Sequence, residues 1–418
     1  MTSKLIILAV IVLGVITVAR LMKIYQLSSR LGNKKEEEIS NRDNRLNANL
    51  MLLFGVALFG GFIWLMLKYG WTGRGIAASK HGHELDWLYN LNFIIVLLIF
   101  FLTHIVLFYF SWKYVKKPGV KAFYFPHSSK LEMIWTIVPA AVLAVIIILG
   151  LRTWNQVTDD AAPESIRIEL FSKQFDWTAR YSGDDNTLGK FDYKLTTDDN
   201  ELALLTTNTI DSAIFHMELG ANSISSIEEK LNNPNVILSI ADRDELMVDL
   251  GRKERLIRLL KQMKGRHDPK VDAYAWDDII QKDTLYLCID KEYEMNFRSK
   301  DVLHSAYFPN FRVQMNTVPG LTTRFKFTPD ITSVDFRKTK NNPDFNFVLM
   351  CNKICGGAHY KMKMTVIVLS EKEYDAWMDS RAFETFRDKY FASETVEAET
   401  IIDAEGNAMD SLVVEVLH

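Results

Sequence analysis

Cysteine is scarce in this sequence, which contains three among 418 residues. So few cysteines cannot build a disulfide framework. Cys288 stands alone in a strand-like run, where we expect it to contribute to buried packing. The other two, Cys351 and Cys355, are separated by only three residues. The thiol chemistry of the chain is therefore concentrated in one short stretch.

An excess of charge of one sign is also lacking, since the formal net charge is −3. With 48% hydrophobic residues, the average composition and net charge alone would fit an ordinary soluble protein. We expect no nucleic-acid partner. The averages conceal a split, because long apolar runs crowd the first 155 residues and most acidic residues come later. The chain is therefore predicted to join a membrane half to a water-soluble half.

Four apolar runs in the membrane half approach the ~20 residues that a bilayer crossing requires. They cover residues 5–19, 48–67, 93–110 and 133–151. The first run is short, and a signal peptide is the alternative; its cleavage pattern at 17–19 is weak, which favours an uncleaved span. Basic residues concentrate in the first and third loops, which predicts that these loops are cytoplasmic and that the C-terminal domain lies on the outer side.

The water-soluble half begins near residue 165 with short alternating runs, which are typical of strands with one buried face. These runs cover residues 166–170, 191–195, 284–289, 322–327, 345–350 and 365–369. They predict a Greek-key β-barrel.

A segment of about a hundred residues, 183–282, interrupts the strand-like runs and is partly helical in pattern. Asp242 with Glu245 suits a helix start, and Leu256, Leu259, Leu260 and Met263 are predicted to share one apolar face. The segment is either a solvated decoration or a docking surface. The tail after residue 391 is acidic and lacks aromatic residues, which predicts an extended or partner-bound segment.

The stretch from Cys351 to Met362 combines two thiols, an imidazole and a thioether, which are ligands for soft metals and copper. A zinc site would use both cysteines, His359 and one distant histidine, but leaves Met362 without a role. A site for a single copper ion would leave Cys351 without a role. Two coppers bridged by both thiolates would use every side chain, together with one backbone carbonyl from the turn.

The second imidazole of such a centre is expected from another loop of the barrel. His304 is the best placed, because it follows a strand-like run and precedes Pro309 and Pro319, which mark turns.

Together these residues resemble a known family. His304-Ser305, then Pro309, then Val318-Pro319-Gly320, and the spacing Cys351-x-x-x-Cys355-x-x-x-His359-x-x-Met362 are similar to subunit II of the haem-copper cytochrome c oxidases of respiratory chains. The resemblance covers roughly residues 90–181 and 283–380. It implies N-terminal transmembrane helices followed by a cupredoxin-like Greek-key β-barrel with a large insertion.

The resemblance also implies a dinuclear copper centre, called CuA, and assigns its ligands. Cys351 and Cys355 would bridge two copper ions, and His304 and His359 would be terminal ligands. Met362 would be axial, and the carbonyl of Lys353 would complete the set. Lys353 stands where the family usually has a glutamate that helps to hold magnesium or manganese; because an ammonium group cannot coordinate a cation, that second site is doubtful here.

Further positions resemble functional residues of the family. Phe175 takes the place of a tryptophan through which electrons enter, and Trp177 keeps the second aromatic position; the alternative for both is packing under the barrel. Glu132, in a Glu-x-Ile-Trp-Thr-x-x-Pro pattern, matches the mouth of a proton pathway into subunit I. Its alternative role is that of an interfacial anchor.

The predicted domains are two extra transmembrane helices (1–70), a transmembrane hairpin (71–155), the CuA domain (156–182 and 283–380), the insertion (183–282) and an acidic tail (381–418). The location implied is the bacterial inner membrane, with a multi-pass anchor and a periplasmic copper domain.

The implied function is electron transport into a proton-translocating oxidoreductase. Cytochrome c, or a cytochrome c domain of a neighbouring respiratory complex, would supply electrons for haem in oxidase subunit I, where oxygen is reduced. Further oxidase subunits would be partners. The resemblance implies that the catalytic haems lie in the partner chain, and because the sequence has no Cys-x-x-Cys-His stretch, no covalent haem c is expected in this one. The alternatives are a CuA subunit of a nitric oxide reductase or a relative of nitrous oxide reductase and, from another class, a copper-delivery or zinc-stabilised adhesion module.

Overall fold

The computed structural model describes residues 2–31, 40–70, 74–220, 222–381 and 384–391. The chain divides into two units, one formed by Met1–Arg74 with Asn90–Leu143, and the other by Gly75–Tyr89 with Ala144–His418. The first is helical, and the second contains all the strands among the described residues.

The N-terminal helices are α1 (Thr2–Leu31), α2 (Asn41–Tyr69), α3 (Lys80–Lys113) and α4 (Ser129–Thr158). Among the described residues, α2, α3 and α4 are long and apolar enough to cross a membrane. They contain the second, third and fourth predicted spans. The first predicted span falls within α1, where several side chains lie outside the described residues, so the count of four spans and the orientation stay predictions.

Gly55 lets α2 and α3 approach closely. A Cβ at Gly55 would lie 2.6 Å from the ring of Phe108, so the aromatic ring occupies the space that a side chain would fill. Phe59 also contacts α3, with its ring centroid 5.2 Å from that of Phe101. These contacts define α2 and α3 as a packed pair.

Among the residues that the structure describes, the β-domain contains ten strands in two five-stranded sheets. The strands are β1 (Ile166–Lys173), β2 (Asp176–Tyr181), β3 (Ile279–Lys282), β4 (Thr284–Cys288), β5 (Tyr293–Ser299), β6 (His304–Phe308), β7 (Val313–Thr317), β8 (Thr323–Phe327), β9 (Phe347–Cys351) and β10 (Lys363–Leu369). One sheet has the order β3-β2-β1-β5-β8 and the other β4-β10-β9-β6-β7.

The inward-facing side chains of both sheets form one hydrophobic core, which includes Leu170, Phe297, Phe347 and Val366. Cys288 is 1% exposed within this core, as the sequence predicted. The expected combination of membrane helices with a cupredoxin-like β-domain and a large insertion is confirmed.

The predicted strand at 191–195 is wrong. Tyr193–Leu195 forms a turn of 3-10 helix, because the carboxylate of Asp192 accepts a 3.0 Å hydrogen bond from the backbone N–H of Lys194. Only Phe191 makes an isolated bridge, with Leu204.

The remaining helices are α5 (Thr207–Leu219), α6 (Ile224–Asn232), α7 (Ile240–Arg266), α8 (Ala273–Trp276), α9 (Ser333–Lys340) and α10 (Glu371–Arg381). Helix α7 begins two residues before the predicted start at Asp242, because Ser239 accepts from the N–H of Asp242 and the carboxylate of Asp242 accepts in return. The predicted apolar face of α7 is also partly wrong: Leu260 is buried, whereas Leu259 is 46% exposed.

A buried ion network joins the insertion to the barrel. Glu169 on β1 accepts hydrogen bonds from Arg180 (2.8 Å) and Arg298 (2.7 Å), and Arg180 also pairs with Asp278. Arg298 donates to the carbonyl of Leu202 at 2.8 Å. Buried guanidinium groups therefore hold both ends of the insertion against the sheet.

The electrostatics of this network depend on burial and on the arginines. Burial favours the neutral form of Glu169, but the guanidinium groups of Arg180 and Arg298 together have the larger effect. They lower the pKa of Glu169 to about 2. Burial raises the pKa of Asp278 to about 7, against the opposing effect of Arg180. Glu169 is thus the firmly ionised partner of both arginines.

The residues before and after the barrel also pack on it. The backbone N–H of Ala78 donates to the carbonyl of Asn310 at 2.8 Å, so the start of α3 belongs with the β-domain. At the other end, Phe386 and Tyr390 are buried against Trp276, although they fall in the predicted acidic tail. The tail after residue 391 lies outside the described residues.

Candidate metal centre

Strands β9 and β10 anchor the loop that carries the cysteines. Met350 pairs with Lys363 across the two strands, and the N–H of Cys351 donates to the carbonyl of Met362 at 3.0 Å. The first and last predicted side-chain ligands of the loop therefore lie opposite each other at its base.

Strand β6 brings His304 to the same end of the domain. Ala306 pairs with Cys351, and the N–H of Asn352 donates to the carbonyl of Ser305 at 3.0 Å. This register places His304, at the start of β6, beside the loop. The donor atoms of His304, Cys351 and Cys355 all lie within 4.8 Å of one another.

The sulfur atoms form the middle of the cluster. The Sγ atoms of Cys351 and Cys355 are 3.9 Å apart. Nδ1 of His304 lies 4.0 Å from Sγ of Cys351, and Nδ1 of His359 lies 3.5 Å from Sγ of Cys355. Each imidazole is therefore next to a different thiol.

Two further donors complete the group. Sδ of Met362 lies 3.8 Å from Sγ of Cys355, and the carbonyl oxygen of Lys353 lies 3.1 Å from Sγ of Cys351. The structure therefore brings all six predicted ligands together.

The donor set fits copper. Metal–sulfur bonds of about 2.3 Å are long enough for one ion to contact two sulfurs at this separation, and thiolate, thioether and imidazole suit copper. Burial and the neighbouring Cys351 raise the pKa of Cys355 to about 11. Metal binding at neutral pH must therefore release a proton from this thiol.

Asp301 orients His304. Its Oδ1 atom lies 2.8 Å from Nε2 of His304, and its Oδ2 atom accepts a 2.7 Å hydrogen bond from the N–H of Gln174. Burial alone would raise the pKa of Asp301, but these hydrogen bonds lower it. Sequence reasoning missed this residue, although an aspartate three positions before a candidate ligand was a signal for it.

The two aromatic residues differ in position. Trp177 is fully buried, with its ring centroid 6.3 Å from that of His304 in an edge-to-face contact. Phe175 is partly buried and lies on the cysteine loop, since a Cβ at Gly356 would come within 2.9 Å of its ring. The amide of Gln174 donates to the carbonyl of Cys355, which fixes this part of the loop from outside.

Glu132 lies in the first turn of α4 and is not a member of the described group of candidate metal ligands. Its carboxylate accepts a 3.3 Å hydrogen bond from the N–H of Ser128 and lies 3.9 Å from the ring of His127. This geometry is that of a helix cap.

Comparison with known proteins gives consistent relatives. A family model described as the transmembrane domain of cytochrome c oxidase subunit II matches residues 72–153. Alternative cytochrome c oxidase subunit 2 of Bradyrhizobium diazoefficiens is 25% identical over 79% of this chain and 91% of its own length. Cytochrome c oxidase subunit 2 of Cereibacter sphaeroides is 22% identical over 74% of this chain and 80% of its own length.

A solved structure is also similar. The periplasmic domain of subunit II of cytochrome oxidase from Bradyrhizobium japonicum has 15% sequence identity and a TM-score of 0.26, covering 53% of this chain and 96% of that domain. The relatives are subunits of an oxidoreductase complex. The resemblance that the motifs indicated is thus confirmed: this chain is similar to subunit II of the cytochrome c oxidases.

Proposed function

We propose that this chain is the subunit through which electrons enter a respiratory cytochrome c oxidase. The observation that carries the proposal is the convergence of two thiols, two imidazoles, a thioether and a carbonyl at one end of the β-domain. These groups come from two separate hairpins, and the relatives are oxidase subunits. Both features favour a dinuclear copper centre over a simple structural site.

Such a copper pair, when bound, takes up and releases one electron at a time. Cys351 and Cys355 would bridge the ions, with His304 and His359 as terminal ligands and Met362 and the carbonyl of Lys353 as the weaker ligands. The paired strands β6, β9 and β10 hold these groups in place, so little rearrangement of the protein accompanies the change of charge. Asp301 keeps the Nε2 atom of His304 engaged and leaves Nδ1 toward Cys351.

The surrounding residues would define the path of the electron. A c-type cytochrome would deliver it beside Phe175, with buried Trp177 behind the centre, and haem in oxidase subunit I would receive it. Oxygen reduction and proton pumping belong to that partner subunit, and Glu132 would mark the mouth of its proton pathway. Because Lys353 offers an ammonium group, we propose no magnesium site beside it.

The location belongs to the same proposal. The apolar helices would anchor the chain in the bacterial inner membrane with the copper domain in the periplasm. The segment 1–70 would add two helices to the hairpin at 71–155, and 183–282 would be an insertion in the CuA domain.

Metal analysis of the purified complex, with an electron-paramagnetic-resonance spectrum, tests the central proposal. Two copper ions per chain with a mixed-valence signal are expected, and one zinc ion per chain would refute it. Turnover with oxygen and with nitric oxide separates the two respiratory functions. The relatives described above are oxidase subunits, which favours oxygen.

A further inference from the structure

The surface around the metal centre carries an unusual distribution of charge. We define the metal rim as the loop 352–363 together with the two connections that hold it, 173–176 and 300–303. We propose that the electron donor docks on this rim through an acidic surface of its own. This inference rests on the proposed function, because it names the kind of partner that the same site receives.

Three lysines of the rim are free to face a partner. Lys353, Lys361 and Lys363 are exposed, and Lys361 and Lys363 flank the candidate ligand Met362. Among the residues that the structure describes, no carboxylate oxygen lies within 4.0 Å of their ammonium groups. Their positive charge therefore faces solvent and is not neutralised by an ion pair within the domain.

The two carboxylates of the rim, and that of the nearby Glu201, are already engaged. Asp301 accepts from His304 and from the backbone of Gln174, and Asp176 accepts from the N–H of Trp177 at 2.8 Å. Glu201 lies 2.6 Å from the ammonium of Lys173 and 3.2 Å from that of Lys300. Counting Glu201, five lysines face three carboxylates, and the rim keeps a net positive charge.

Apolar side chains lie among these charges. Ile354 is 87% exposed and Tyr360 is 75% exposed, both within the metal loop. Phe175 is partly buried against Gly356 of the same loop, and the ammonium of Lys361 lies 5.8 Å from the ring centroid of Tyr360. An apolar contact surrounded by a net positive charge is a surface suited to a transient protein partner, in which the charges steer association.

The occupant is therefore a one-electron carrier, such as a c-type cytochrome, whose exposed haem edge is surrounded by Asp and Glu. In the complex, one electron leaves the ferrous haem iron, which becomes ferric, and the metal centre gains that electron. No bond is made or broken. Attraction between opposite charges raises the association rate at low ionic strength and is screened as salt is added.

The experiment uses the complete purified oxidase and two reduced soluble c-type cytochromes, one with an acidic haem-edge surface and one with a lysine-rich surface. Stopped-flow absorbance measures the second-order rate constant of cytochrome oxidation from about 10 mM to about 300 mM ionic strength. For the acidic cytochrome we expect this rate constant to fall roughly tenfold or more as salt rises. The lysine-rich cytochrome should be slower at low salt and gain rate as salt is added.

Charge variants test the location of the effect. Lys361→Glu should lower the low-salt rate constant of the acidic cytochrome roughly three- to tenfold, and Lys361→Gln should lower it less. Lys230→Glu, which changes an exposed lysine on α6, is the matched control and should leave the rate constant unchanged. The absorption spectrum of each variant shows whether its metal centre is intact. The salt dependence is measured on the unaltered protein, so that part of the test does not depend on any variant.

Two results would overturn the inference. One is a lysine-rich cytochrome that reacts faster at low salt and loses rate as salt rises. The other is a Lys361→Glu protein with an intact spectrum and an unchanged rate constant for the acidic cytochrome. Reduction of the centre by a small uncharged reductant, followed in parallel, separates this failure from failure of the proposed function, which would leave no reducible copper signal.

Discussion

Nε2 of His304 lies 2.8 Å from Oδ1 of Asp301, on the side of the imidazole ring away from Cys351. A carboxylate in this position holds the proton on Nε2 and leaves Nδ1 with a free lone pair. The same carboxylate is fixed by the backbone N–H of Gln174. The loop that carries Phe175 and the candidate ligand His304 are therefore connected through one aspartate.

Replacement of Asp301 by alanine should weaken copper binding. Outer partners of metal-bound histidines typically change metal affinity by about 10- to 100-fold, and we expect a loss in that range. Competition with a copper chelator measures it. Asp344→Ala, at an exposed aspartate in the connection before β9, serves as the control. Equal affinities for the two variants would show that Asp301 does not position His304.

Replacement of Met362 by leucine should change the reduction potential of the centre and slow electron delivery. Met362 is 1% exposed, and a leucine of similar volume keeps the packing at a cost below about 1.5 kcal/mol. A spectroscopic redox titration measures the potential. Met364→Leu makes the same exchange at a buried position of β10 and should leave the potential unchanged. An unaltered potential in Met362→Leu would contradict the axial assignment.

Replacement of Gly356 by alanine should distort the cysteine loop. Gly356 has φ of 143°, and a Cβ there would lie 2.9 Å from Phe175 and from the amide of Gln174. Strain of this kind costs about 1–3 kcal/mol, so copper retention and the midpoint of thermal unfolding should both fall. Gly357→Ala is the control, since no described atom lies within 4 Å of its Cβ position. Similar behaviour of the two variants would argue against a close contact at Gly356.

The stability of the β-domain should depend on Glu169 in acid. The pKa of Glu169 is lowered from 4.5 to about 2, so its contribution is complete above pH 4.5 and is lost as the pH falls toward 2. Glu169→Gln should remove this dependence and destabilise the protein by about 3–5 kcal/mol, because two buried guanidiniums lose their partner. Thermal unfolding at several pH values measures both effects. An acid dependence that persists in the variant would show that other carboxylates cause it.

Replacement of Glu132 by alanine should slow oxidase turnover without changing the copper spectrum. The carboxylate lies in the first turn of α4, is about half exposed and is not among the candidate metal ligands, so we expect its loss to leave the metal centre intact. Oxygen consumption and proton release by the reconstituted oxidase are the measurements. Glu132→Asp keeps a carboxylate and should retain more activity than the alanine variant. Normal proton-coupled turnover in Glu132→Ala would assign the residue to helix capping alone.

Local chemistry explains what could be predicted from the sequence. Five of the six candidate ligands lie within twelve residues, and their side-chain types favour a copper pair before any coordinates are known. The apolar helices could be predicted equally well, because a run of apolar residues is sufficient to identify each one. Helix α7 was found from its periodicity, but its start and the orientation of Leu259 were wrong, since the Ser239 cap and the packing against α5 decide them.

The sequence by itself determined the long apolar helices, the β-rich domain and the candidate ligands of the metal loop, because these depend on residue type and on short spacing. The tertiary structure alone decided that Asp301 orients His304 and that residues 191–195 contain a 3-10 turn instead of a strand. It also decided that a buried ion network holds the insertion on the barrel, formed by Glu169, Arg180, Asp278 and Arg298. The four network residues are spread over more than a hundred positions of the chain. Strand pairing brings them together, and no local pattern encodes that register.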